Sequence, residues 1–421
     1  MTRSTTGRLL TIAWLTVIAL ATLLPIPSQE ILSARTPWYC VLCGPRGTAD
    51  FVLNVVLFVP LGVGLVLMGV RPVLAAVACL GLTLGVETLQ LTLVPGRDAA
   101  LGDVIANTGG GLLGVLGAAN WGALASPAAH ASVPLRLAAA ALPVACTAFT
   151  LAGFKPSAPE ATWYGQWEAR YETDRWFGGK VSDARLSGHW LPNGQMRQSD
   201  IVHASVRQEP VLLQAEFESG GVDQAGAIVR LSDSVHTILT LSQGAGRALL
   251  YSIRGRAADL GLNDATFRLG EALPMVTGEP VTATGSYRAG QVLLLTVHAS
   301  GQRESRIHLS PAHGWAQLLP LAIGNDLRTR LLMVLWMGLL FVPMGWFGSR
   351  SGWTVVAGLG LGTLCLAVLP LWMGFPLAGA EGWVGGALGL FGGQTLWVLQ
   401  APLAEATPKA KPGSTGEPGS Q

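Results

Sequence analysis

FVLNVVLFVPLGVGLVLMGV, residues 51–70, is a stretch without a single charged side chain. A helix of ~20 apolar residues spans the ~30 Å hydrocarbon core of a bilayer, where the backbone must satisfy its own hydrogen bonds. The stretch therefore predicts a transmembrane helix. Further apolar stretches of similar length occupy residues 9–26, 73–94, 104–124, 135–154, 331–347, 353–373 and 383–400. Together they predict an α-helical polytopic membrane protein with about eight transmembrane helices.

The charged residues are unevenly distributed along the 421-residue chain. Only 12% of the residues are charged, roughly half the share of a soluble domain. Residues 155–324 nevertheless hold 31 of the 52 charges. The distribution predicts four parts, which are a membrane domain with five helices (1–154), a polar domain (155–324), a membrane region with three helices (325–401) and a disordered tail (402–421). The net charge of +2 gives no strong basic field, so nucleic acid is not an expected partner.

Basic residues also predict the orientation. With the N-terminus in the cytoplasm, the predicted cytoplasmic segments carry 7 basic and 2 acidic residues. The short outer segments then carry 5 basic and 6 acidic residues. The positive-inside rule favours this arrangement, in which both termini are cytoplasmic and residues 155–324 are extracytoplasmic.

The polar insert alternates apolar and polar residues in short runs separated by glycine-bearing turns, for example at residues 211–218, 227–231 and 292–298. This period of two predicts an inserted all-β sandwich of antiparallel strands. The strand pattern resembles the concanavalin A-like jelly rolls, including laminin G-like domains. That resemblance implies binding of a glycan or a protein.

Individual residues of the insert leave its function open. Glycoside hydrolysis needs two carboxyls beside the scissile bond, but the alternating Glu216 and Glu218 are more typical of the solvated face of a strand. The tryptophans of the insert either stack on sugar rings or fill the core of the sandwich; they are Trp163, Trp167, Trp176 and Trp190. The histidines lack metal-ligand spacing, and no metal or cofactor is expected.

The membrane region between residues 50 and 114 contains polar residues in a distinctive order. Asn54 precedes FVPLG at 58–62, ETLQ follows at 87–90, PGR at 95–97 and DVIANTGG at 103–110. In order and spacing these elements resemble the VanZ-like membrane family, over about residues 9–124. The resemblance implies an integral protein of the bacterial inner membrane. Members of that family have been associated with glycopeptide antibiotic resistance.

Six side chains of this motif are candidates for a polar site, namely Asn54, Glu87, Gln90, Arg97, Asp103 and Asn107. Residues three or four apart share a helix face, so Glu87 lies beside Gln90 and Asp103 beside Asn107. A carboxylate inside a span costs at least ~2.5 kcal/mol, so it should face the bundle interior and have partners.

Three interpretations of this set stay open. The residues form a polar clasp between helices, or a pocket for the headgroup of a lipid-linked precursor or cell-wall glycan. Alternatively, Glu87 or Asp103 is the acid/base of an enzyme that processes an envelope lipid, with Arg97 on its phosphate. Because the sequence contains no evident nucleophile–base pair, no catalytic residue is assigned.

Two further features concern the outer loop and the C-terminal helices. Cys40 and Cys43 form either a local disulfide, as favoured in an oxidising compartment, or a pair of free thiols. FVPMG at 341–345 mirrors FVPLG at 58–62, and the glycines at 385–389 mirror those at 110–114, without the polar residues. Either a decayed duplication or chance similarity of apolar helices explains this echo.

Overall fold

The computed structural model describes residues 3–24, 37–94, 99–126, 129, 132–159, 161–169, 176–197, 199–207, 210–221, 225–233, 235–348 and 352–405. Within these residues, seven helices are long and apolar enough to cross a membrane: Ser4–Leu23, Gly47–Leu67, Pro72–Leu93, Leu101–Ala119, Val133–Gly153, Leu327–Phe347 and Val355–Trp372. Two six-stranded sheets accompany them. The predicted fold class, a helical membrane protein with a β-sandwich, is confirmed.

Four long helices form a first bundle, and a fifth leads towards the sandwich. The bundle comprises α1 (Arg3–Leu23), α2 (Gly47–Leu67), α3 (Pro72–Leu93) and α4 (Leu101–Ala119); a short α5 (Trp121–Leu124) and α6 (Val133–Gly153) follow. Helices α2 and α4 pack backbone to backbone, because a Cβ atom on Gly110 or Gly114 would collide with the carbonyl oxygens of Val55 and Val59. Small residues permit such close approach in membranes.

The sandwich has two antiparallel sheets, ordered β4-β1-β6-β7-β8-β9 and β12-β11-β10-β5-β2-β3. A helix, α7 (Ser199–Arg207), connects β4 to β5. The strands are β1 (Tyr164–Trp167), β2 (Lys180–Leu186), β3 (His189–Trp190), β4 (Gly194–Gln195), β5 (Val211–Glu218), β6 (Gly226–Ser232), β7 (Thr237–Gly244), β8 (Ala248–Ile253), β9 (Ala265–Leu269), β10 (Pro280–Arg288), β11 (Gln291–His298) and β12 (Gly301–His308).

Alternation along the strands builds the core between the two sheets. In β5 the side chains of Val211, Leu213, Ala215 and Phe217 are buried, while Glu216 is exposed. Period-two alternation places successive side chains on opposite faces, so one face of the strand meets the other sheet and one meets solvent.

A second bundle follows the sandwich and includes α6. Its other helices are α8 (Leu327–Phe347), α9 (Gly352–Thr363), a π-helical turn (Leu364–Val368) that continues into α10 (Leu369–Trp372), and α11 (Ala380–Glu405). The eighth predicted span, 383–400, lies in α11, which packs along α8. However, α11 is not among the seven helices apolar enough to cross a membrane, and its many glycines and Gln394 lower its hydropathy.

The two bundles share one packing scheme. In the first, Gly110 and Gly114 of α4 approach the carbonyl oxygens of Val55 and Val59; in the second, Gly389 and Gly393 of α11 approach those of Gly338 and Val342. The matching positions are 283 residues apart in α2 and α8 and 279 apart in α4 and α11. This regularity favours the duplication over chance similarity.

The contacts also correct the alignment of the glycines. The sequence comparison paired 110–114 with 385–389, whereas the helix contacts pair 110–114 with 389–393. Glycine recurs every four residues along α11, so a sequence comparison slips easily by one helical turn. Only the partner carbonyl oxygens fix the register.

One end of the sandwich contacts both bundles. The backbone N–H groups of Thr48 and Ala49, at the start of α2, donate to the carbonyl oxygen of Gly261, each at 3.1 Å. The Tyr287 hydroxyl donates to the carbonyl oxygen of Phe154, just after α6, at 3.1 Å. The sandwich therefore lies on the side of the helices where α2 begins and α6 ends.

Candidate functional site

Asn54 and Asp103 join α2 to α4 at the sandwich side of the first bundle. The side-chain amide of Asn54 donates to Oδ1 of Asp103 at 2.6 Å. Both residues are half-buried, and each lies within two helical turns of the end of its helix that faces the sandwich. The structure thus brings these two candidate residues into direct contact.

Glu87 and Gln90 come from α3 and reach two different neighbours. A carboxylate oxygen of Glu87 accepts a hydrogen bond from the backbone N–H of Ala100, at the start of α4, at 3.1 Å. The side-chain amide of Gln90 donates to the carbonyl oxygen of Thr22 in α1 at 2.9 Å. Both side chains are 7% exposed, so α3 presents a buried polar face to its bundle partners.

Several buried acceptors of this region have no hydrogen-bond partner among the residues that the structure describes. They are Oε1 of Gln90, Oδ1 of Asn107 and the hydroxyl oxygens of Thr11, Thr83 and Thr108. Asn107 is only 1% exposed. Buried polar atoms are almost always paired in proteins, so these oxygens call for a donor such as water or a ligand hydroxyl.

The structure describes five of the six predicted polar residues and places them near one another. These five, Asn54, Glu87, Gln90, Asp103 and Asn107, lie within ~10 Å of the sandwich-side ends of α2, α3 and α4, at ~1.5 Å per residue. Glu87 and Asp103 are close enough for their charges to interact. Arg97 lies outside the described residues.

A loop over residues 37–46 covers the start of α4. The backbone N–H groups of Leu101 and Gly102 donate to the carbonyl oxygens of Trp38 and Cys40, each at 2.8 Å. A disulfide joins Cys40 to Cys43, whose Cα atoms are 5.8 Å apart. The loop satisfies N–H groups that a helix start leaves unpaired. Sequence reasoning missed this cap because backbone partners leave no side-chain signal.

The candidate residues of the sandwich divide by burial. Trp163 is fully buried and Trp167 is half-buried, with its indole N–H donating to the carbonyl oxygen of Leu191 at 3.1 Å. Of the two interpretations, Trp163 therefore follows the one in which it fills the core of the sandwich. Trp176 and Trp190 are exposed. Glu216 and Glu218 are exposed on β5, as a solvated face requires.

No group of histidine, cysteine, aspartate and glutamate among the described residues could hold a metal ion. His203 contacts Trp163, His236 pairs with Asp233 at 3.0 Å, and His298 lies 3.4 Å from Glu279. His313 is buried, and burial lowers its pKa to about 4. These histidines therefore contact other side chains of the sandwich or are buried in it.

Comparison with protein families matches residues 6–122 to the family described as VanZ/LLP1. The first bundle is a VanZ-like domain. All six predicted polar residues lie inside the matched range. The match ends before α6, so it covers neither the sandwich nor the second bundle. Comparisons with curated proteins and with solved structures give no significant match.

The chain is therefore a multi-pass membrane protein that contains a VanZ-like domain and a β-sandwich domain. The VanZ-like domain contributes the polar residues. The second bundle repeats its packing but has Met337, Gly382 and Gly386 where the register predicts counterparts of Asn54, Asp103 and Asn107.

Proposed function

We propose that the VanZ-like domain binds the headgroup of a lipid-linked precursor or cell-wall glycan in a polar pocket formed by α2, α3 and α4. The observation that carries the proposal is the burial of Gln90 and Asn107 with acceptor oxygens that no described residue satisfies. Hydroxyl, amide and ammonium groups of such a headgroup would donate to them. Each buried acceptor left unpaired costs ~1–3 kcal/mol, so pairing it with a ligand is favourable.

The second bundle supports a pocket over a purely structural clasp. It packs α8 against α11 through the same glycine-to-carbonyl contacts as α2 and α4, without amides or carboxylates at the matching positions. Helix packing of this kind therefore does not require Asn54, Asp103 or Asn107. Polar groups that cost insertion energy are retained in membranes mainly for function.

The proposal is tested with Asn107→Leu, because Asn107 is buried and replacing it removes an unpaired oxygen with little effect on the fold. Full-length protein in nanodiscs is titrated with a polyprenyl-diphosphate disaccharide. We expect Asn107→Leu to weaken binding by about tenfold, the equivalent of about 1.4 kcal/mol. Asn120→Leu, at the exposed far end of α4, is the control and should bind like the wild type. Unchanged binding by Asn107→Leu contradicts the pocket.

We also propose that residues 155–324 are extracytoplasmic and both termini cytoplasmic, in the inner membrane of a bacterium. The disulfide on the sandwich side supports this orientation, because disulfides persist in oxidising compartments. The test is labelling of the variant Arg256→Cys with an impermeant maleimide in intact cells, on a Cys40→Ser/Cys43→Ser background. Labelling only after lysis would contradict the orientation.

The sandwich is proposed to bind a glycan or a protein, as its resemblance to concanavalin A-like domains implies. Trp190 is exposed beside the half-buried Trp167, with ring centroids 6.3 Å apart, and offers an aromatic face. Trp190→Ala should reduce capture of the full-length protein by cell-wall glycan or by its protein partner. Equal capture of wild type and variant would remove this surface from consideration.

An enzymatic alternative rests on the position of Glu87, which bonds the backbone of Ala100 three residues before Asp103, since paired carboxylates suit acid/base chemistry. Glu87→Gln separates the alternatives. If the variant reaches normal abundance but no longer forms product from an envelope lipid, an enzyme is favoured. If the variant loses abundance, a clasp is favoured.

We also propose a role in glycopeptide resistance, because members of the VanZ-like family have been associated with it. Expression of the protein should then raise the glycopeptide dose that a host tolerates.

A further inference from the structure

A cavity lies where the first bundle meets the sandwich. It has a volume of about 260 Å³, and its walls come from three parts of the chain. Pro45 and Arg46, directly before α2, form one wall; residues between 254 and 266, and Pro320 with Leu321, form the others. This junction pocket, defined by Arg46, Arg254, Asn263 and Asp264, is separate from the polar residues inside the VanZ-like domain.

Two guanidinium groups line the junction pocket. Arg254 is 9% exposed and pairs through Nη2 with Asp259 at 2.9 Å. Its Nε–H has no acceptor among the residues that the structure describes. Arg46 is exposed at the start of α2, and no ion pair to it occurs within the described residues. A guanidinium presents its N–H donors in a planar fork that binds two phosphate oxygens at once, so arginines with unfilled donors favour phosphate.

The carboxyl of Asp264 lines the same cavity and interacts with the charge of Arg254. It accepts a hydrogen bond from the backbone N–H of Gly255 at 3.2 Å. Burial raises its pKa to about 6, although Arg254 opposes that shift. Near neutral pH this carboxyl accepts hydrogen bonds from ligand hydroxyls, and it repels a nearby anion less once it is protonated.

The depth of the pocket matches the headgroup layer of a bilayer. Helix α2 begins at Gly47 and has 21 residues, so at ~1.5 Å per residue it spans the ~30 Å hydrocarbon core. Arg46, one residue before it, therefore lies at the level of lipid phosphates. A pocket with basic walls at this level suits an anionic headgroup.

We propose that the junction pocket binds a phosphodiester that carries a neighbouring hydroxyl group. Arg46 and Arg254 hold the phosphate from opposite walls, and Asp264 accepts the hydroxyl. The bound group bridges the VanZ-like domain and the sandwich. The phosphodiester is either the headgroup of a membrane lipid or a free soluble molecule, and the two sources share this chemistry.

The test uses calorimetric titration of the detergent-purified full-length protein. The probes are dioctanoyl phosphatidylglycerol, its soluble headgroup glycerophosphoglycerol, and dioctanoyl phosphatidylcholine, which lacks the hydroxyl and the net charge. We expect the first or the second probe to bind at least about tenfold more tightly than the third. Preference for the lipid over its headgroup identifies a membrane source, and equal binding identifies a free phosphodiester.

Variants identify the site. Arg46→Gln should leave the fold intact because the side chain of Arg46 is exposed, and it should weaken binding by about tenfold. Arg254→Gln should do the same or more. Arg256→Gln is the matched control, since Arg256 is an exposed neighbour that does not line the cavity.

The outcomes either support or overturn the proposal. Failure of both glycerol-based probes to bind, or unchanged binding by Arg46→Gln, overturns it. An equal loss in Arg256→Gln also overturns it, because the attraction would then be a general effect of surface charge. Asn107→Leu should bind these probes like the wild type, so this test is independent of the pocket inside the VanZ-like domain.

Discussion

The two helix bundles have the same packing and different chemistry. In both, the second helix bears a Phe-Val-Pro-x-Gly segment, and the fourth helix lies against its carbonyl oxygens through glycines. The VanZ-like bundle adds buried amides and carboxylates, whereas the other has Met337, Gly382 and Gly386 at the matching positions. The comparison teaches that close helix approach and polar content are separate properties. The first builds the bundle, and the second marks a site.

The largest expected effect on stability comes from the glycine-to-carbonyl contact that the two bundles share. Gly114→Val and Gly393→Val each place side-chain atoms against a backbone carbonyl, of Val59 and Val342 respectively. Backbone cannot move aside as a flexible side chain can, so each variant should lose about 3 kcal/mol of unfolding free energy. Thermal unfolding in detergent measures the loss. The control is Gly117→Val, which has open space around it. A large loss in only one bundle would break the equivalence.

A second test gives one pair of contacting residues in the first bundle the side-chain sizes found at the matching pair in the second bundle. Gly111 faces Cys79 in the first bundle, and at the matching positions Leu390 faces Gly358. We expect Gly111→Leu alone to cost about 2–3 kcal/mol by overpacking. Adding Cys79→Gly should restore much of that loss, because the pair then resembles the second bundle. A double variant no more stable than Gly111→Leu would show that the register assigned here is wrong.

The contacts that the sandwich makes with the two bundles should differ in how their contribution to stability depends on pH. Because burial raises the pKa of Asp264 to about 6, the folded state binds its proton more tightly than the unfolded chain does. The unfolding free energy should therefore fall by up to about 3 kcal/mol as pH rises from ~4 through ~6. Arg254, Asp259 and His236 also act on this carboxyl. Chemical unfolding at a series of pH values measures the effect.

Asp264→Asn should flatten that profile, and a profile unchanged by the substitution would contradict the assignment. The joint to the second bundle gives the contrast. There the Gln317 amide donates to the carbonyl oxygen of Thr150 at 2.8 Å, and burial keeps His313 neutral above a pKa of about 4. Removing Gln317 should therefore shift stability equally at every pH above ~5.

The smallest expected effect comes from the polar link between α2 and α4. Asn54→Met installs the residue found at the matching position of α8 and removes the 2.6 Å hydrogen bond to Asp103. Interhelical hydrogen bonds in membranes contribute about 1 kcal/mol, so unfolding free energy should fall by about that much. Met337→Leu is the control for side-chain shape. A loss of several kcal/mol would favour a structural clasp.

Much of the site was predictable because polar residues inside apolar stretches stand out. Glu87, Gln90 and Asn107 could be assigned to buried faces from their spacing alone. The individual partners could not. Glu87 reaches the backbone of Ala100 and Gln90 reaches that of Thr22, and backbone groups are present at every residue. The junction pocket was equally hidden, because Arg46 and Arg254 are 208 residues apart in the chain.

The sequence by itself determined that apolar helices enclose a β-rich polar insert and that a VanZ-like motif lies in the first of them. The helices and the strands follow from local composition and periodicity, and the motif follows from a resemblance in the order and spacing of its residues; each segment carries these signals on its own. The tertiary structure decided the register of the duplicated helices, the core position of Trp163 and the docking of Gly261 on α2. Each of these depends on which distant backbone or side chain comes into contact, and repeating glycines and interchangeable apolar residues do not encode that choice locally.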